Sequence, residues 1–121
     1  MRTYTQEEKE ALIKKELNRL RKTFKDLPED RKRISEGLIQ EAAFMRATLE
    51  ETREIIDREG ILEHFEQGAQ RFVREHPATK VYNTMINRYA SVCKQLLDLL
   101  PEADKKTAAD ELMDFVKKQA R

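Results

Sequence analysis

The chain has 121 residues and a mass of 14.3 kDa, which is the size of one small domain. Three glycines and three prolines are too few for the turns of a β-sandwich or barrel, and a single cysteine excludes an intramolecular disulfide. No apolar run approaches the ~18 residues of a transmembrane helix, and acidic residues near the start stand where a signal peptide is apolar. Composition therefore predicts a soluble, intracellular, mainly helical protein.

The first predicted helix covers about residues 5–26. Thr5 and Glu8 fit a capping box at its start, and Pro28 follows its end. Apolar residues recur along it at alternating steps of four and three, the average spacing of a coiled coil; they are Ile13, Leu17, Leu20, Phe24 and Leu27. We call this row the α1 seam. The opposite face of the helix is almost entirely cationic.

A second, longer helix is predicted over about residues 28–59, with Gly60 as its C-cap. Gly37 inside it marks either a break or a place where another backbone comes close. Residues 61–76 show no clear periodicity, so we predict an irregular connection there, a loop with at most one or two short helical turns. No strand is predicted.

The third predicted helix covers about residues 77–100 and is the most hydrophobic. Its apolar row, which we call the α3 seam, consists of Tyr82, Met85, Tyr89, Val92, Leu96 and Leu99. A fourth, shorter helix is predicted over about 102–120, after Pro101. The predicted fold is all-α, in one helical domain spanning 1–121: a long antiparallel helical hairpin packed with the third helix and the shorter C-terminal helix.

The two seams have two possible uses. They can pack against each other within one chain, or they can hold identical copies together. A chain this short and this charged has a small core, so we expect at least one seam to support homo-oligomerisation.

Charge is distributed unevenly along the chain. Lys9 to Arg33 holds ten basic residues against five acidic ones, whereas Glu36 to Gly60 holds three against seven. The basic segment either pairs with the acidic second helix or binds nucleic-acid phosphates, without sequence specificity. The candidate phosphate contacts are Lys14, Lys15, Arg19, Arg21, Lys22, Lys25, Arg31, Lys32 and Arg33.

Catalytic motifs are absent from the sequence. There is no glycine-rich phosphate loop and no Cys/His set with zinc spacing. His64 and His76 are expected to be exposed loop residues, and Cys93 a buried structural thiol. We therefore predict no catalytic, metal-binding or cofactor-binding residue, no cofactor, and no enzymatic activity.

Several segments resemble a known family. Residues 77–89 (PATKVYNTMINRY) and 93–101 (CKQLLDLLP) resemble the C-terminal core of small terminase subunits of tailed phages and prophages. Residues 39–51 (IQEAAFMRATLEE) and 15–20 (KELNRL) are similar to the same family. The resemblance covers residues 12–101, although the short-turn helix-turn-helix and the basic tail of many members are not seen.

The resemblance implies a non-catalytic small terminase subunit in the host cell cytoplasm. Such subunits assemble into homo-oligomeric rings, bind double-stranded viral DNA and deliver it to a large terminase subunit, which carries the ATPase and nuclease of DNA packaging. No membrane partner is implied. The alternative is a helical adaptor or scaffold that binds a partner helix and no DNA.

Overall fold

The computed structural model describes residues 4–119, apart from the side chains of residues 113 and 115–119. The elements in chain order are α1 (Gln6–Thr23), α2 (Glu29–Glu59), β1 (Leu62–Gln67), β2 (Gln70–Glu75), α3 (Pro77–Leu97) and α4 (Glu102–Gln119). α2 packs against both α1 and α3, and α4 packs against α3. The fold is mostly helical, as predicted, but it also contains a small two-stranded antiparallel sheet.

The helix starts follow the sequence signals closely. The Thr5 hydroxyl caps α1 by accepting a hydrogen bond from the Glu8 N–H at 3.1 Å. Gly60 is the C-cap of α2, and its φ of 84° is one that glycine adopts readily. α2 is continuous through Gly37, and a Cβ there would meet nothing within 4 Å. Neither the break nor the close backbone approach is therefore present at Gly37.

Two helices end three residues earlier than predicted, and in both cases a proline follows within a few residues. α1 ends at Thr23 instead of 26, and α3 ends at Leu97 instead of 100. After α3 the chain tightens, because Leu99 and Leu100 donate to carbonyls only three residues back, at 3.1 Å each. Because proline disfavours helical geometry in the residue before it, the last helical turn before Pro28 and before Pro101 does not continue as α-helix. The predicted end of the fourth helix at residue 120 lies outside the described residues.

The buried members of both seams pack inside a single chain. One core cluster combines the α1 seam, the α3 seam and the middle of α2; its buried members include Leu20, Phe24, Leu27, Ile39, Ala42, Leu49, Tyr89, Cys93 and Leu96. Other seam residues, such as Leu17 and Met85, are half-buried against the same cluster. Intrachain packing thus accounts for the buried members of both seams.

The prediction of an irregular connection over 61–76 is wrong, because this segment forms a β-hairpin. Gly68, at φ 61°, lies between β1 and β2, and Phe65 pairs with Phe72 at a ring-centre distance of 4.9 Å. On the same face Arg74 lies over the Phe65 ring and donates to Glu63 at 2.7 Å. Charged and apolar residues occur on both faces of the hairpin, so the sequence lacks the alternation of apolar and polar residues that predicts a strand. Side-chain pairs across the two strands stabilise the hairpin instead.

His76 is also misplaced by the sequence analysis, since it is buried at 1% exposure. Its Nδ1 accepts the Ala78 N–H at 3.1 Å and caps α3, so the proton lies on Nε2, which faces Glu59 Oε1 at 3.0 Å. Its backbone N–H donates to the Ile61 carbonyl at 2.8 Å. The side chain of His76 therefore ties the end of α2 to the start of α3, and its backbone N–H ties the same residue to the base of the hairpin. His64 is exposed on β1, as expected.

The β-hairpin leaves large apolar side chains in solvent. The exposed large hydrophobic residues of the described chain are Ile34, Phe44, Ile61, Leu62, Phe72, Val73 and Val81. Four of these seven lie in or immediately before the hairpin. A two-stranded hairpin is marginally stable alone, so this element has both apolar surface and strand edges left to be covered.

Replacing His76 tests its role as a tie between elements. We expect His76→Ala to lower the free energy of unfolding by about 1–3 kcal/mol, because it removes a helix cap and a buried hydrogen bond. His76→Asn keeps a capping acceptor and should recover part of the loss. Urea denaturation followed by circular dichroism measures both. The exposed-site control His64→Ala should change stability by less than about 0.5 kcal/mol; equal losses for both alanine variants would contradict this role.

Candidate nucleic-acid interface

The nine candidate cations extend from the middle of α1, through the connection that follows it, to the start of α2. Five are on α1, Lys25 follows its last turn, and the other three are in the first turns of α2. Because Leu20 and Phe24 of the α1 seam are turned into the core, the basic residues between them are turned outward. Eight of the nine are exposed, and Arg19 is half-buried.

Three of the nine side chains are engaged within the chain. Arg19 donates to Glu16 at 2.8 and 3.2 Å. Arg21 Nε donates to Glu36 on α2 at 3.0 Å, and this hydrogen bond lowers the pKa of Glu36. Arg31 Nη1 donates to the carbonyl of Leu99 at 3.1 Å and so ties the start of α2 to the end of α3.

The predicted alternative, pairing of the basic face with acidic α2, is therefore realised only in part. Arg21 with Glu36 and Lys9 with Glu51 are the α1–α2 ion pairs among the described residues. The remaining candidates are exposed and form no ion pair with a described side chain; they are Lys14, Lys15, Lys22, Lys25, Lys32 and Arg33. Their charge is available to an external anion.

An open groove of about 1060 Å³ lies beside some of the candidate cations and not beside others. Basic side chains line one part of it, namely Arg19, Lys22, Lys25 and Arg31, and carboxylates of α4 line another, namely Asp104, Asp110, Glu111 and Asp114. The Thr23 hydroxyl donates to Glu111 across it at 3.4 Å. These carboxylates weaken the positive potential at the groove, whereas Lys14 and Lys15 lie outside it.

The α4 carboxylates form an acidic wall of the groove, and this wall was not predicted from the sequence. α4 carries balanced charges in the sequence, so its composition gave no reason to expect carboxylates opposite the basic segment. The wall forms because α4 buries Ala108 and Leu112 in the same core cluster as Phe24 and Leu27. Only the tertiary position of α4 places its carboxylates there.

The metal-ligating residue types and the cysteine are the other chemically distinctive residues of the chain. Among residues 4–119 with described side chains, no three His, Cys, Asp or Glu residues are grouped to hold a metal ion. Cys93 is fully buried, and that burial raises the pKa of its thiol to about 11. Its neighbour Tyr89 is equally enclosed, and burial raises the pKa of the phenol to about 12.

Within the described part of the chain, no helix is both long enough and apolar enough to span a lipid bilayer. Comparison with protein-family models, with curated proteins and with solved structures finds no match to this chain. The physical properties of the interface are therefore the basis for assigning a function.

The buried thiol gives a direct test of whether Cys93 can act as a nucleophile. At pH 8 we expect a chromogenic aromatic disulfide to react with Cys93 at least about 100-fold more slowly in the folded protein than in urea, because little thiolate forms and access is blocked. The absorbance of the released thiolate measures the rate. Equal rates in the folded and unfolded protein would contradict the buried, inert state of Cys93.

Proposed function

We propose that the protein is a non-catalytic small terminase subunit, which self-assembles and binds double-stranded viral DNA to start genome packaging with a large terminase subunit. The resemblance in sequence suggests the family, and one structural observation supports it most. Six exposed cations without ion pairs in the described structure lie on α1, on α2 and in the connection between them. Phosphate recognition requires positioned Lys and Arg side chains and no reactive group.

The spacing of the α1 cations suits a polyanion with closely spaced charges. Lys15 and Lys22 are seven residues apart within α1, which places them on nearly the same side of its axis and about 10 Å apart along it. Duplex DNA carries one charge per about 1.7 Å of its axis, so several phosphates lie within that length. Lys14 lies about 80° around the axis from Lys22, so Lys14, Lys15 and Lys22, which together with Lys25 we call the α1 row, present repeated positive charge over one broad face.

Self-assembly is the second part of the proposal, and the β-hairpin is the surface that supports it. Leu62, Phe72 and Val73 are each about half exposed, at 57%, 49% and 53%. Identical copies that cover these side chains would bury apolar surface and stabilise a marginal hairpin. In a ring, the cationic row of each copy would add to one positive track for the duplex.

A helical adaptor or scaffold remains the alternative function. The exposed apolar hairpin would then bind a different protein, and the cations would serve solubility alone. Because the seams are occupied inside the chain, such an adaptor would use the hairpin instead of a free coiled-coil edge. Binding to duplex DNA and its salt dependence distinguish the two functions.

The DNA-binding proposal predicts a steep and localised salt dependence. We expect the dissociation constant for a random-sequence duplex, measured by fluorescence anisotropy, to rise steeply between about 0.05 and 0.2 M salt. Lys14→Gln/Lys22→Gln/Lys25→Gln should make the log–log slope shallower by about 2–3, since each lost phosphate contact removes about 0.9. The matched control Arg53→Gln/Arg58→Gln/Lys106→Gln removes the same charge elsewhere and should keep most of the slope. Absence of duplex binding would favour the adaptor.

The self-assembly proposal predicts a mass in solution of several subunits. Light scattering should give a mass several times 14.3 kDa, and Phe72→Ser/Val73→Ser should lower it, because the substitutions remove exposed apolar surface from the hairpin. Ile34→Ser, which changes an equally exposed apolar residue on α2, is the control and should leave the mass unchanged. A monomeric wild type would contradict the proposal.

A further inference from the structure

Helix α3 has an unusual charge composition for this chain. Its 21 residues contain Lys80, Arg88 and Lys94 but no aspartate or glutamate. Every other helix carries several carboxylates. A helix of net charge +3 inside a protein of net charge +1 leaves one surface strongly positive without any acidic neighbour on the same element.

Burial of one side of α3 fixes which residues face solvent. Tyr89, Cys93 and Leu96 lie in the core, and the opposite side forms an exposed row that we call the α3 stripe. Its members are Lys80, Asn83, Thr84, Asn87, Arg88, Ser91, Lys94 and Gln95, all of them exposed. The stripe is about 21 Å long from Lys80 to Lys94.

The cations of the α3 stripe are not neutralised within the described structure. Lys80, Arg88 and Lys94 form no ion pair with any described side chain. Lys80 and Arg88 line a shallow hollow of about 460 Å³, so space is open beside both charged groups. In contrast to the groove beside α4, the hollow has one acidic lining residue, Glu75 of the hairpin, and the exposed carboxylate of Asp98 follows Lys94 at the end of α3.

We propose that the α3 stripe is a second contact surface for the phosphate backbone of duplex DNA. Lys, Arg, Asn, Gln, Ser and Thr are the side chains that contact DNA phosphates and sugars, and the stripe consists of these types alone. Among the described residues of α3, Val81 is the large apolar side chain that is exposed, and it borders the stripe in the same hollow as Lys80 and Arg88. One such side chain does not make the apolar row that a partner helix needs or the apolar face that a membrane-surface helix inserts. The inference rests on the proposed DNA-binding function and adds a site that the α1 row does not include.

Three variants of equal charge change test this surface in the full chain. Lys80→Gln/Arg88→Gln/Lys94→Gln alters the stripe, Lys14→Gln/Lys22→Gln/Lys25→Gln alters the α1 row, and Arg53→Gln/Arg58→Gln/Lys106→Gln is the control. Anisotropy of a labelled random-sequence duplex gives the dissociation constants over a salt series. We expect the stripe variant to bind about tenfold or more weakly at about 0.1 M salt, with a slope shallower by about 2–3. Lys80→Arg/Lys94→Arg, which keeps both charges, should bind like wild type.

The outcomes separate this inference from the proposed function. If the stripe variant binds like the control while the α1 variant is weakened, the stripe is not a DNA contact and the proposed function stands. If wild-type protein shows no salt-dependent duplex binding, both the function and the inference are overturned. Light scattering completes the test: a stripe variant that changes mass identifies the surface as a contact between copies and overturns the inference.

Discussion

The packing of α1 and α3 onto the middle of α2 is the interaction on which the rest of the structure depends. Ala42, Ala43 and Ala47 are fully buried there, and small side chains at a helix contact permit a short interaxial distance. Both apolar seams are thereby used against one helix. Since a charged group in that core would cost several kcal/mol, the basic residues of α1 and α3 must face outward.

The outward charges nevertheless have different surroundings. Arg21 is paired with Glu36, and Lys22 and Lys25 share a groove with carboxylates of α4. Lys14 lies outside that groove, and two of the α3 cations, Lys80 and Arg88, line a hollow with a single carboxylate, that of Glu75. The potential offered to a polyanion is therefore set by the tertiary positions of the acidic residues more than by the number of basic ones, and a net charge of +1 conceals positive surfaces.

The sequence predicted the features that local chemistry determines. Thr5, Pro28, Gly60 and Pro77 mark helix ends through capping or backbone restriction, and apolar spacing predicts which faces are buried. The β-hairpin was missed because its stability comes from pairs such as Phe65 with Phe72, which are seven residues apart and apparent only once the register is known.

The candidate cations were predicted from sequence, but their availability was not. Whether a lysine is paired depends on contacts such as Arg21 with Glu36 and on where α4 packs, and both are long-range in the chain. The burial of His76 is of the same kind, because its partners Glu59 and Ala78 belong to two helices separated by the hairpin. The absence of carboxylates from α3 was visible in the sequence. Which of its basic residues face solvent became known only from the packing of α3 in the structure.

Lysine-reactivity footprinting is the measurement that tests the central claim most directly. Folded protein is acetylated briefly with and without duplex DNA, and the modified lysines are quantified by mass spectrometry. The account predicts that DNA protects Lys14, Lys22 and Lys25, while the exposed Lys106 of α4 reacts equally in both samples. Equal reactivity at Lys14, Lys22 and Lys25 with and without DNA, or protection of Lys106 to the same extent, would contradict it.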